Sequence, residues 1–92
     1  MSFTLRQLRA FVAVAENGSV SHAAQALSAS QSAVSEAVRD LEADLGVRLF
    51  DRHARGLLVT QSGHQFLRHA RAILAQVAAS RRAVEGTREA VT

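Results

Sequence analysis

Val20-Ser-His-Ala-Ala-Gln-Ala-Leu27, Ser28-Ala-Ser30 and Gln31-Ser-Ala-Val-Ser-Glu-Ala-Val-Arg-Asp-Leu41-Glu-Ala-Asp-Leu45-Gly46 read as two helices joined by a serine-rich corner. On the first, Val20, Ala24 and Leu27 recur at i, i+4 and i+7. On the second, Val34, Val38, Leu41 and Leu45 do the same. Ala23 and Ala24 are small enough for the second helix to cross the first closely. Ser28 stands where the chain must turn, and Ser30 is placed to cap the next helix by accepting from a free first-turn N–H. Two short helices crossed over a tight corner make a helix-turn-helix, whose second helix fits the major groove of DNA.

The N-terminal flank predicts a bracing helix. Thr4-Leu-Arg-Gln7 fits a capping box, with Phe3 and Leu8 at the positions of a hydrophobic staple. Leu5, Leu8, Phe11, Val12 and Ala15 form one apolar face. Asn17-Gly18 ends the helix, with Gly18 in the left-handed C′ position.

After Gly46 the pattern changes from helical to alternating. Val47-Arg-Leu-Phe-Asp-Arg52 and Leu57-Leu-Val59 are β-like runs around His53-Ala-Arg-Gly56, which predicts a small hairpin with Arg52 and Arg55 at or near its tip. Alone, such a hairpin is a solvated turn. Directly after a helix-turn-helix it reads as a wing, able to touch phosphate or to place an arginine in a narrow minor groove.

Thr60 is placed to cap a final helix, with Gly63 in its first turn allowing close packing. Phe66, Ala70, Ile73, Val77, Ser80 and Val84 follow steps of four and three, a heptad-like seam that Leu67 and Leu74 widen. A helix from Gln61 to Glu85 spans about 35–40 Å at 1.5 Å per residue. That exceeds what so small a domain covers, so dimerisation through Phe66, Ala70, Ile73, Leu74, Val77 and Val84 is the simplest expectation. The alternative is a helix folded back onto its own core. Gly86 and the polar Thr87-Arg-Glu tail predict that the helix frays or changes role there.

Ninety-two residues suit one small domain, which buries only roughly 60–65% of the surface its unfolded chain exposes. Four Phe with no Tyr or Trp leave little for stacking on single strands. All eleven basic residues are Arg, which lifts the pI to 11.3 although the net charge is only +3. Distribution therefore matters more than the total. Residues 36–46 carry Arg39 against Glu36, Asp40, Glu42 and Asp44, a sum of −3, whereas residues 47–56 carry Arg48, Arg52 and Arg55 against Asp51, a sum of +2. A phosphate-binding face must draw on the ends of the second helix and on the segment after it.

With the apolar positions turned inward, Ser32, Ser35, Glu36 and Arg39 fall on the opposite face of the second helix. Ser30, Gln31 and Ser32 belong to its start, the part of a recognition helix that reaches base edges. Gln31 suits adenine, and Ser32 or Ser35 can bond to bases or phosphates. Glu36 either accepts from a cytosine amino group or discourages nonspecific binding by repelling phosphate. For each residue taken singly, ordinary solvent exposure is the plain alternative.

With no cysteine, disulfides and thiolate zinc sites are excluded. His22, His53, His64 and His69 have no metal-ligand spacing, and no Asp–His pair stands ready to activate a serine. Neither an enzyme nor a cofactor is expected. No apolar run has membrane-spanning length and no signal-peptide pattern opens the chain, so a cytoplasmic protein is the default.

The spaced residues also resemble a known family. Leu5-Arg-Gln-Leu8-x-x-Phe11-x-x-Val14-Ala15-Glu16-x-Gly18-Ser19 is similar to the opening of LysR-type transcriptional regulators of bacteria. The resemblance continues through Ala23-Ala24-x-x-Leu27, Ser30-Gln31-Ser32-Ala33-Val34-Ser35, Leu41-Glu42-x-x-Leu45-Gly46, Leu49-Phe50-x-Arg52 and Leu58-x-Thr60-x-x-Gly63. It implies a mainly α fold: a winged helix-turn-helix over residues 3–60, with the motif at about 20–39 and the wing at about 47–60, then a linker and dimerisation helix over 61–92. It also implies sequence-specific binding of double-stranded operator DNA as a homodimer on an interrupted palindrome, with full-length subunits often forming tetramers. Carried over, Gln31, Ser32 and Ser35 face the major groove, Arg55 is the wing arginine for the minor groove, and Arg52 supports the wing. Position 36 is often basic or neutral in that family, and Glu36 departs from it. The family carries a small-molecule effector domain after the linker helix, so a chain truncated before that domain is expected. Alternatives from other classes are a helical protein-interaction module and nonspecific architectural DNA binding.

Overall fold

Local signals at each helix end set the course of the chain in the computed structural model, which describes the backbone of residues 2–90 and the side chains as far as residue 88. Helix α1 spans Leu5–Asn17. Its capping box is complete: the Gln7 N–H donates to Thr4 Oγ1 at 3.2 Å, and the Thr4 N–H donates to Gln7 Oε1 at 3.0 Å. Gly18, in the left-handed region, closes it. Helix α2, Val20–Leu27, starts on Ser19, whose hydroxyl accepts from the His22 N–H at 3.1 Å. At its end Ser28 adopts φ 53° and ψ 45°, and the Ala29 N–H reaches back to the Ala24 carbonyl at 2.9 Å. This six-to-one closure is how left-handed C-caps satisfy the last carbonyls of a helix. Helix α3 spans Gln31–Leu45; Ser30 Oγ accepts from the Ala33 N–H at 3.0 Å, as its placement implied.

Strands β1, Phe50–His53, and β2, Gly56–Val59, pair antiparallel, with Phe50 opposite Val59, Arg52 opposite Leu57 and His53 opposite Gly56. The turn is therefore only Ala54-Arg55, tighter than the four-residue tip expected. Residues 47–49 precede the strand instead of extending it. Helix α4 runs Gln61–Ala90 and continues through Gly86. Of the expected 61–92 helix, residues 91 and 92 lie outside the described residues. At about 1.5 Å per residue these 30 residues form a rod of about 45 Å. It accounts for most of the molecule's 57 Å longest dimension.

All four phenylalanines join one cluster. Phe11 of α1 lies 5.4 Å from Phe50 and 5.7 Å from Phe66, ring centre to ring centre, and Phe3 meets Phe66 edge-on at 5.8 Å. They tie α1, the wing and α4 together, and Leu8, Val14, Leu41 and Leu49 are, with Phe11, the largest fully buried side chains. Edge-to-face and tilted pairs at such distances add to plain area burial.

Two helix faces differ from their expected form. On α1, Leu5 is 40% exposed while Ala10, Ala13 and Val14 are buried. On α2, Leu27 is 37% exposed and Val20 half-buried, and the buried pair is Ala23 and Ala24. The physical reason is shared: α1 is covered from several sides, whereas α2 is approached so closely at its two alanines that the larger residues are pushed to the rim.

Candidate nucleic-acid interface

The start of α3 is exposed. Ser30, Gln31 and Ser32 are all open to solvent. With the Ser30 hydroxyl and carbonyl already accepting from Ala33 and Val34, the amides of Gln31 and Ser32 have no protein acceptor among the described residues. These free N–H groups lie at the positive end of the helix dipole, an arrangement suited to a phosphate oxygen.

From this start, one flank of α3 faces the wing. Ser35, half-buried, and Arg39, exposed, line a groove whose other wall carries Arg48 and Arg52, with Val38, Phe50 and Leu57 at its floor. Arg52 is therefore not at the hairpin tip. It is opposite Leu57 on the strand face shared with Phe50, so it points to α3, and the tip belongs to exposed Arg55. The side chains of Arg39, Arg52 and Arg55 form no ion pair among the described residues. Arg48 is held: its guanidinium donates to the Phe50 carbonyl at 3.2 Å and lies 3.7 Å from the Asp51 carboxylate.

Glu36 stands apart from that groove. It is exposed, but on the flank of α3 turned to α1, where it lines a shallow depression with Thr4, Arg6, Gln7 and Asp40. Ser35 and Arg39 thus share the groove with Arg48 and Arg52, the exposed Gln31 and Ser32 precede them on α3, and Glu36 lines the other depression. The acidic half of α3 is also partly spent on the chain itself. Asp44 accepts from the Ser2 hydroxyl. Glu42, half-buried, accepts through Oε2 from the Leu49 N–H at 2.7 Å and from the Phe50 N–H at 3.3 Å. In the sequence Glu42 stands out only as one of four acidic residues of α3 and as part of the family pattern. Its partners lie seven and eight residues away, beyond the break in helical periodicity, and no local pattern announces them.

Along α4 the expected seam divides. Ala70 is fully buried and Leu74 packs against the chain's own core, with Leu67 beside them. Phe66 is half-buried between Phe3 and Phe11. A residue already covered inside its own subunit cannot also be covered by a partner, so Ala70 drops out of a free apolar face. What remains outside that core is exposed Ile73, half-buried Val77 and Val84, with Val84 68% exposed. Near the start of the helix, Arg71 pairs with Glu16 of α1 at 3.3 Å.

Among the described residues no three His, Asp or Glu side chains gather as metal ligands, and no helix is long and apolar enough to cross a membrane.

Comparison with known proteins agrees with this fold. The family model described as bacterial regulatory helix-turn-helix protein, lysR family, matches residues 5–64. A probable hydrogen peroxide-inducible genes activator of Mycobacterium xenopi is 48% identical over 83 residues, which are 90% of this chain and 44% of that protein. The chain spans less than half the length of the curated relatives it matches. Among solved structures, the CbnR DNA-binding domain in complex with DNA superposes with a TM-score of 0.81 at 42% identity, covering 97% of this chain and 99% of that one. The BenM DNA-binding domain on its benA site 1 DNA gives 0.85 at 34% identity, covering 91% and 98%.

Proposed function

The chain belongs to the lysR family of bacterial regulatory helix-turn-helix proteins, and on that premise we propose that it binds double-stranded DNA sequence-specifically to regulate transcription. The observation that carries the reading is that α3, with an exposed start and the free amides of Gln31 and Ser32, lines a groove through Ser35 and Arg39 against Arg48 and Arg52. In this reading α3 enters the major groove, with Gln31 and Ser32 at base edges and Ser35 at a base or phosphate. Arg39 and Arg52 take backbone phosphates along the groove wall, and Arg55 reaches the neighbouring minor groove. Glu36 contacts no phosphate and limits how closely unsuited DNA approaches on the α1 side. That the similar CbnR and BenM DNA-binding domains were solved in complex with DNA supports DNA as the partner.

Two copies would join through α4, with Ile73, Val77 and Val84 as the apolar contacts, and would present two α3 helices to an interrupted palindrome. No cofactor and no catalytic step enter this reading.

The experiment is enrichment of duplexes from a randomised pool, followed by affinity measurement for the enriched and a scrambled duplex across a salt series. Specific binding separates the two by roughly 10³ or more, and both affinities fall steeply with salt. Equal affinity for both duplexes would make the protein an architectural DNA binder. Absence of binding even at low salt would make it a protein-interaction module.

A further inference from the structure

We propose that Glu42 is the positioning residue that fixes the wing to the recognition helix, and so sets which flanking bases the wing arginines reach; this rests on the DNA-binding reading above. Beyond Phe50 every residue of β1 is exposed, and β2 is only half-buried at Leu57 and Val59. The hairpin that carries Arg52 and Arg55 is therefore held mainly at its root. That root is gripped on both edges. On one, the Glu42 carboxylate takes the N–H groups of Leu49 and Phe50. On the other, the Arg48 carbonyl accepts from the Thr60 hydroxyl at 2.7 Å and the Leu49 carbonyl from the Thr60 N–H at 2.9 Å. Glu42 is the only member of this grip that belongs to α3. It is one turn beyond Val38 and borders the groove lined by Ser35, Arg39, Arg48 and Arg52.

The carboxylate at that place is otherwise hard to explain. A negative charge in a phosphate-facing groove opposes DNA, and with both bonds made through one oxygen its charge is directed at the two amides instead. Its geometry demands reach: a side chain one methylene shorter leaves both amides unpaired, whatever its charge.

Two variants separate reach from charge. Glu42→Gln keeps the length and an acceptor oxygen; Glu42→Asp keeps the charge and loses the reach. Amide hydrogen exchange on the 92-residue chain should show Leu49 and Phe50 opening faster in Glu42→Asp by on the order of tenfold, with Phe11 and Val14 unchanged and Glu42→Gln close to the unmodified protein. In enrichment from a randomised duplex pool, Glu42→Asp should keep the half-site preference read by α3 and lose preference at the flanks, while Glu42→Gln retains both. Glu42→Asp enriching the unmodified motif, flanks included, overturns the proposal. So does an even loss at all positions, which marks a merely stabilising carboxylate. If the unmodified protein enriches no motif, the DNA-binding reading fails instead, and the exchange pattern alone decides whether Glu42 holds the wing root. Should Glu42→Asp not fold, faster Leu49 and Phe50 exchange in Glu42→Ala than in Glu42→Gln supports the proposal and equal rates overturn it.

Discussion

Gly63 of α4 and Leu49 at the root of the wing meet backbone to backbone. A Cβ on Gly63 would collide with the Leu49 carbonyl oxygen and come within 2.7 Å of Val59 Cγ1. Alanine is the better helix former by about 1 kcal/mol, yet at this position the collision with backbone outweighs it. Gly63→Ala should destabilise the fold by about 1–3 kcal/mol. At Gly86 nothing lies within 4 Å of the same added atom, and the residue is inside α4. Gly86→Ala should therefore raise α4 helicity, with any stability change being a gain of about 0.5–1 kcal/mol. Denaturant unfolding of both variants checks the opposite signs.

Ser28 supplies the corner between α2 and α3 with a left-handed backbone, φ 53°, in a residue that carries a Cβ. Such a conformation costs a non-glycine residue on the order of 1 kcal/mol. Ser28→Gly should stabilise by about 0.5 kcal/mol after the entropy glycine adds to the unfolded chain. Ser28→Val should destabilise by about 1–2 kcal/mol, because a β-branched residue is a poor occupant of that region. A thermal melt of each variant measures the difference.

At the interface, Gln31→Ala should lower discrimination at particular bases by about 1–3 kcal/mol, whereas Arg55→Ala should mainly weaken binding to A·T-rich flanks. Binding to a panel of single-base operator variants distinguishes the two. A uniform loss for Gln31→Ala would reassign that side chain to a phosphate.

Along α4, Ile73 is 37% exposed and belongs to the stripe continued by Val77 and Val84. Ile73→Asp should convert a dimer to single subunits, seen as a halved mass by light scattering. Arg71→Ala, next to the same stripe but paired with Glu16 in an exposed ion pair, should change stability by less than about 1 kcal/mol.

The helix ends were legible because their signals are local. Thr4, Ser30, Gly18 and Gly46 each act within a few residues of the end they mark. The end of α4 was not, since one glycine without a following proline does not stop a helix already propagating. Exposure of Leu5 and Leu27 escaped the pattern for another reason: periodicity finds an apolar stripe but not which of its margins a neighbour covers. Ala70 shows the same limit on α4, where one stripe serves the chain's own core first and leaves Ile73, Val77 and Val84 beyond it. Arg52 lies one residue pair from the turn, near the tip as its place in the sequence implied, but the sequence did not show which way its strand face turns. A two-residue turn draws the strands out and leaves Arg52 facing α3.

The rod-like α4 is packed against the chain's own core from Gly63 to Leu74 and runs 16 residues further to Ala90. Over a lever of about 24 Å, a swing of only ~8° where that packing ends carries the far tip about 3.3 Å, close to the rise of one base pair along DNA. Whatever grips the distal portion of that lever would thus adjust, by a small pivot, how far apart two reading heads stand on the duplex.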